Sequence, residues 1–265
     1  MLRPISLIAA LLLLPGMAFA QSGRDFNACA GNDDDAAIAA CTRIVNARNV
    51  DSRKRREAYY NRAISLSNKR RFDDAIRDYT DAIKADPGYA PSYNNRGVLY
   101  FERKNDLTRA KADYDRAIAL DPNYAFALNN RGNVFKRQGD HRAALADYDK
   151  AISINPKYAG AFRNRGDTYR LLGDLPKAVS DYDKAIEFDP KFQAAYFGRA
   201  RARDARGEFD QAISDYSKVL ALYENTGRRD EAIADYRRAL ALTAEDDDDR
   251  KAQADALDRL TRLQR

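Results

Sequence analysis

The sequence predicts an all-α fold, an α-α superhelical solenoid of repeated helix pairs, and three recurring marks predict it. An Asn-Arg-Gly tripeptide or a close variant occurs at Asn61-Arg62-Ala63, Asn95-Arg96-Gly97, Asn130-Arg131-Gly132, Asn164-Arg165-Gly166 and Gly198-Arg199-Ala200, with the arginines 34, 35, 34 and 34 residues apart. An Asp-Tyr pair keeps the same beat at Tyr79, Tyr114, Tyr148, Tyr182 and Tyr216. A break of an acid or amide followed by proline recurs at Pro87, Pro122, Pro156 and Pro190. A fixed period of this length means that one small unit is copied and stacked.

Each unit divides into two helices for local reasons. Proline cannot continue a helix interior and restricts the residue before it, so each proline break ends a second helix. Gly139, Gly173 and Gly207 interrupt three units midway and predict tight turns there. With 45% hydrophobic residues and no tryptophan, the 265-residue composition suits a quasi-one-dimensional stack better than one large core.

The unit from Ala125 to Tyr158 carries Leu128, Gly132, Phe135, Ala144, Tyr148, Ala151 and Pro156 at fixed offsets. In these positions it resembles the tetratricopeptide repeat (TPR). Five such repeats are expected over residues 56–226. The fifth departs most from the pattern, with Arg203 at the aromatic position of its first helix and Glu224 at the proline position. The family's usual leucine at the seventh position is replaced throughout by arginine.

The ends are irregular. Residues 1–20 read as a secretory signal peptide, with Arg3, an apolar run from Ile5 to Leu14, Pro15-Gly16, and small residues before Gln21. That run is shorter than the roughly 20 residues that span a bilayer. Export to the periplasm of a bacterial envelope is expected, and it makes Cys29 and Cys41 an expected disulfide, because an even pair in an oxidising compartment usually closes. Residues 21–55 read as a half-repeat in which Cys41 replaces the second-helix tyrosine and the first helix is missing. Residues 227–244 read as a truncated repeat, and residues 245–265 as an acidic linker, Glu245 to Asp249, followed by a capping helix.

At about 100° per residue, the fourth, eighth and eleventh positions of a first helix share the packed face, and the second, sixth, ninth and thirteenth lie opposite. The resemblance implies that this opposite stripe lines a concave groove that takes a ligand. Its candidates are Asn61, Asn94, Asn95, Asn129, Asn130, Asn133, Arg137, Arg163, Asn164 and Asp167. An asparagine amide both donates and accepts, so a spaced row can hold a peptide backbone without reading its side chains. The row is similar to the asparagine ladder of some peptide-binding family members. Duplication alone also copies a residue, and the sequence leaves both origins open. The recurrent arginines, and the aspartates Asp78, Asp113, Asp147, Asp181 and Asp215, lie about 60° from the centre of the packed face. They are expected to pair between helices.

No catalytic site is expected, since no Ser/His/Asp grouping or phosphate loop is present and His141 is the lone histidine. No cofactor and no metal are expected. The formal charge of +6 arises from 46 basic and 40 acidic residues, interspersed, which argues against nucleic acid and leaves any membrane contact peripheral. The sequence is therefore read as a non-catalytic scaffold or adaptor for a protein or peptide partner. The alternatives are a self-associating structural protein or an accessory subunit of an envelope complex.

Overall fold

A computed structural model describes residues 23–224 and divides the chain into two compact units, Met1–Leu120 and Asp121–Arg265. The signal segment at 1–20, the truncated repeat at 227–244 and the acidic linker and cap at 245–265 lie outside the described residues. Every regular element among the described residues is helical.

Unit 1 contains α1 (residues 23–29), α2 (Asp34–Asn46), α3 (Ser52–Asn68), α4 (Phe72–Ala85), α5 (Ala90–Glu102) and α6 (Leu107–Leu120). Unit 2 contains α7 (Ala125–Gln138), α8 (His141–Ile154), α9 (Ala159–Leu171), α10 (Leu175–Phe188), α11 (Gln193–Asp204) and α12 (Phe209–Glu224). The pairs α3/α4 and α5/α6, then α7/α8, α9/α10 and α11/α12, are the five expected helix hairpins. Within unit 2, α9 touches both α7 and α11, so the first helices share one side of that unit.

The repeated residues explain the packing. The ring of each second-helix tyrosine needs space on the first helix, which glycine supplies in the middle three repeats and alanine, at Ala63 and Ala200, in the first and fifth. A Cβ on Gly97 would stand 2.7 Å from Tyr114 Cε1, and one on Gly132 would stand 2.6 Å from Tyr148 Cε1. Such a contact is far inside van der Waals range, so the close approach of the two helices requires glycine. Tyr114, Tyr148 and Tyr182 are consequently fully buried, with Ala110, Ala144 and Ala178 also fully buried one turn earlier on the same helix face. Burying an aromatic ring of this size stabilises each hairpin by roughly 1.5–3 kcal/mol relative to exposure.

The expected arginine–aspartate pairs are present in all five repeats. Arg62 donates to Asp78, Arg96 to Asp113, Arg131 to Asp147, Arg165 to Asp181 and Arg199 to Asp215, each through Nε and Nη2 at 2.5–2.9 Å. The guanidinium fork matches both carboxylate oxygens, which fixes the angle between the two helices of a hairpin. Arginine therefore stands in place of the family's leucine because its stem packs while its head bridges. In the fifth repeat Arg203, at the missing aromatic position, donates to the same Asp215 at 2.8 Å.

The N-terminal segment differs from its expectation. Its first helix is shortened, not missing: α1 occupies residues 23–29, and the Cys29–Cys41 disulfide ties its end to α2. Two turns of helix bury too little apolar surface to hold themselves in place, and the cross-link offsets this by reducing the freedom of the unfolded chain. Arg43 adds hydrogen bonds to Asp25 at 2.6–3.2 Å.

Candidate functional site

In unit 1 the candidates lie on α3 and α5. Asn61 is half-buried and lines a shallow pocket of about 230 Å³ with Ile64, Ser65 and Asn68, across from Gly31 and Asn32 in the turn before α2. Asn94 is buried, and its Nδ2 donates to Asn95 Oδ1 at 3.0 Å. Asn95 in turn donates to the Tyr60 hydroxyl of the preceding repeat at 3.0 Å. These two amides link adjacent repeats.

In unit 2 the candidates lie on α7 and α9, and the structure separates them by depth. Asn129 and Asn164 are buried, at 5% and 7% exposure. Arg163 Nη1 donates to Asn164 Oδ1 at 2.9 Å, Asn164 Nδ2 donates to Asn129 Oδ1 at 2.9 Å, and Asn129 Nδ2 donates to Asn130 Oδ1 at 3.3 Å. The relay crosses from α9 to α7 and satisfies groups that would otherwise be costly to bury. The expected even row is thus corrected. Asn164 keeps its place in the period but turns inward to meet Asn129, leaving Asn130 and Asn133 as the more accessible amides.

The row ends at Gly198 for a steric reason. A Cβ there would stand 2.5 Å from Tyr182 Cε1 of the preceding repeat, so no asparagine fits. The tyrosines also reach the ninth positions. Tyr148 donates its hydroxyl hydrogen to Asn133 Oδ1 at 2.8 Å, and Tyr182 donates to Asp167 Oδ1 at 2.7 Å. Burial pushes both phenols well above their ordinary range, so they remain donors at neutral pH.

Around Asp167 the charge is predominantly positive. Arg163 Nε lies 3.3 Å and Lys136 Nζ 3.6 Å from its carboxylate. Burial lowers the Lys136 pKa, a shift that Asp167 opposes. Arg137 is exposed one position further along α7. Phe126, at the other end of α7, is 51% exposed and packs edge-on against Tyr158 at 5.0 Å.

Sequence reasoning passed over Phe126, Lys136 and the two tyrosine hydroxyls. Phe126 stands at the second position of its repeat, on the stripe opposite the packed face, so that rule could have found it. Nothing local signals the hydroxyls, because their partners lie 15 residues away on another helix.

Phe126, Asn130, Asn133 and Arg137 are four, three and four residues apart and so share one side of α7. Beside them stand Arg163 and Asp167 of α9. The arrangement offers an apolar contact, amide hydrogen-bonding groups and charge along one helix. Among the described residues, no group of three or more His, Cys, Asp or Glu residues could hold a metal.

Models of the tetratricopeptide repeat match residues 60–125, 125–158, 159–192, 194–226 and 221–246. Among solved structures, MamA is 28% identical with a TM-score of 0.53, over 63% of this chain and 96% of that one. YrrB, described as "a TPR protein with an unusual peptide-binding site", is 20% identical with a TM-score of 0.53, over 74% of this chain and 98% of its own. A tetratricopeptide repeat protein from Parabacteroides merdae is 16% identical with a TM-score of 0.64, over 90% of this chain and 98% of its own. The last two are likenesses of fold alone. No curated protein matches the chain.

Proposed function

Because the chain belongs to the tetratricopeptide-repeat family, whose members are protein-interaction scaffolds, we propose that it is a non-catalytic adaptor of the cell envelope that binds an extended peptide segment along its first-helix faces. The observation that carries this reading is the accessible stripe on α7. Phe126 supplies an apolar contact for a side chain, Asn130 and Asn133 face the peptide backbone, and Arg137 and Arg163 supply charge. The segment needs no strand partner, because side-chain amides take the place of a sheet edge. Within unit 1, Asn61 and Asn95 offer amides of the same kind, and the buried Asn94 holds Asn95 in position from beneath. Asn129 and Asn164 act one layer beneath, holding Asn130 and Arg163 in position.

The envelope part of the proposal draws support from the Cys29–Cys41 disulfide, which is suited to an oxidising compartment. No described helix is long and apolar enough to cross a membrane.

Site-specific photo-crosslinking in the envelope fraction tests the binding face. A crosslinker at position 126 or 137 should capture a partner that a crosslinker at the exposed Lys150 of α8 does not. Equal capture from all three positions, or none from 126 and 137, overturns the groove. Capture of nothing but a second copy of the chain would favour self-association.

A further inference from the structure

The turn from α3 to α4 departs from its counterparts in two places at once. Unit 2 makes the corresponding turns with Gly139, Gly173 and Gly207 in the left-handed region, at φ 81°, 79° and 73°. An acidic residue follows each glycine, and Asp140 and Asp174 cap the next helix by accepting from the backbone N–H groups of Ala143 and Lys177. In unit 1 the same two places hold Arg70 and Arg71. Arg70 adopts φ 60°, where an L side chain is strained, and Arg71 stands at the N-cap without a side-chain cap bond. Local stability therefore favours neither arginine.

Both arginines open onto a recess of about 270 Å³, to which Arg103 and Lys104 contribute from the end of α5. The Phe72 ring lies beneath, with the Arg103 guanidinium 4.8 Å from its centroid. Lys104 is paired with Asp73, and Arg71 with Asp74, each at 2.6 Å. Arg70 has no side-chain hydrogen bond or ion pair among the described residues, and Arg103 meets only Glu102 at 3.8 Å. Two guanidinium groups are thus left in excess, one of them stacked on a ring that orients it.

We propose that this recess binds an acidic segment of a partner protein, with carboxylates received by Arg70 and Arg103. It is a second interaction surface, independent of the first-helix faces. A planar guanidinium matches a carboxylate in two parallel hydrogen bonds. Asp73 and Asp74 in the same recess repel a dianionic phosphate more than a single carboxylate. Next to it, Asp34 and Asp35 accept from Asn68 and Lys69, so the basic surface does not continue as contact with an anionic bilayer would require.

Fluorescence anisotropy of the intact chain with a labelled octapeptide of alternating Asp and Glu tests the proposal, with the Asn/Gln counterpart as reference. The acidic peptide should bind and its amide counterpart should not. Arg70→Gly with Arg103→Gln should weaken binding at least tenfold, while the unfolding midpoint stays at or above that of the wild type. Arg142→Gln with Lys150→Gln, which removes the same charge from α8, should leave binding unchanged. Equal loss in both variants, unchanged affinity in the first, or preferential binding of inorganic phosphate or anionic phospholipid vesicles would each overturn it.

Discussion

Units 1 and 2 use the same arginine–aspartate bridge in every repeat, yet the third arm of the arginine ends on different chemistry. In unit 1, Arg62 and Arg96 donate Nη1 to the hydroxyls of Thr42 and Thr80, each at 2.9 Å. In unit 2, Arg165 and Arg199 donate to the carboxylates of Asp149 and Asp183 at 2.6 and 2.5 Å. In these four repeats the acceptor belongs to the preceding second helix, so one side chain closes its own hairpin and joins it to its neighbour. The hydrogen bonds that Arg165 donates to Asp181 and Asp149 raise its pKa against the opposing effect of burial. A charged acceptor makes the stronger contact.

The units differ again at their turns and their first-helix faces. Unit 1 tolerates Arg70 and Asn105 at positive φ, where unit 2 has glycine throughout. Unit 1 shows Ile64 and Asn61 beside its pocket, whereas unit 2 shows Phe126 and a charged cluster around Asp167. The comparison teaches that the repeat fixes the tyrosine, the glycine or alanine opposite it, and the arginine pair. The turns, the third arm and the outer face are free to differ.

The largest effects should be the same in both units, because they fall on the shared frame. Tyr114→Ala and Tyr148→Ala each remove a fully buried ring and should cost about 3–5 kcal/mol of unfolding free energy in denaturant titrations. A marked inequality would break the idea of a common frame.

Removing the disulfide should separate the units. Cys29→Ser with Cys41→Ser should cost about 3 kcal/mol, with hydrogen-exchange protection lost in α1 to α3 and retained in α7 to α10. Uniform loss throughout would mean that the staple does not act locally.

High pH should weaken both units. Burial raises the phenol pKa of Tyr60, Tyr79 and Tyr114 in unit 1, and of Tyr148, Tyr158 and Tyr182 in unit 2, with Tyr158 pushed up to about 12. The unfolded chain ionises its tyrosines near their ordinary value of about 10, while the folded chain holds them neutral. Their contribution is therefore complete below pH about 10 and falls as pH rises through the folded values, which for Tyr158 means between about 10 and 12. Denaturant midpoints at pH 8, 10 and 11.5 that stay level would contradict this.

The smallest effect sharpens the contrast of the third arm. Thr80→Asp gives unit 1 the charged acceptor of unit 2 and should raise stability by about 0.5–1 kcal/mol, while Asp149→Thr should lower it by a similar amount. A double-mutant cycle with the partner arginine isolates the contact. Coupling energies that do not differ between hydroxyl and carboxylate would remove the distinction.

Much of the frame was legible because it is periodic. Pro87, Pro122, Pro156 and Pro190 marked the breaks between hairpins, and the spacing of Arg131 and Asp147 on adjacent helices anticipated their pairing. The disulfide followed from two cysteines and an expected export signal. The candidate site was less legible. Asn129 and Asn130 look equivalent in sequence, but one residue along a helix is a rotation of about 100°, and that rotation buries the first and leaves the second half-exposed. The short helix at 23–29 was missed because it has no full period of its own and is held by the cross-link.

By itself the sequence determined the helical content, the number of hairpins, the family and the residues that repeat, because each follows from local backbone restriction or from spacing along one chain. Only the tertiary structure decided that Gly198 must yield to the Tyr182 ring, that Asn164 turns inward to Asn129, and that Arg70 and Arg103 from two different turns share a recess. Those outcomes depend on distances between helices whose residues are far apart in sequence, and such distances are set by how the side chains between them pack.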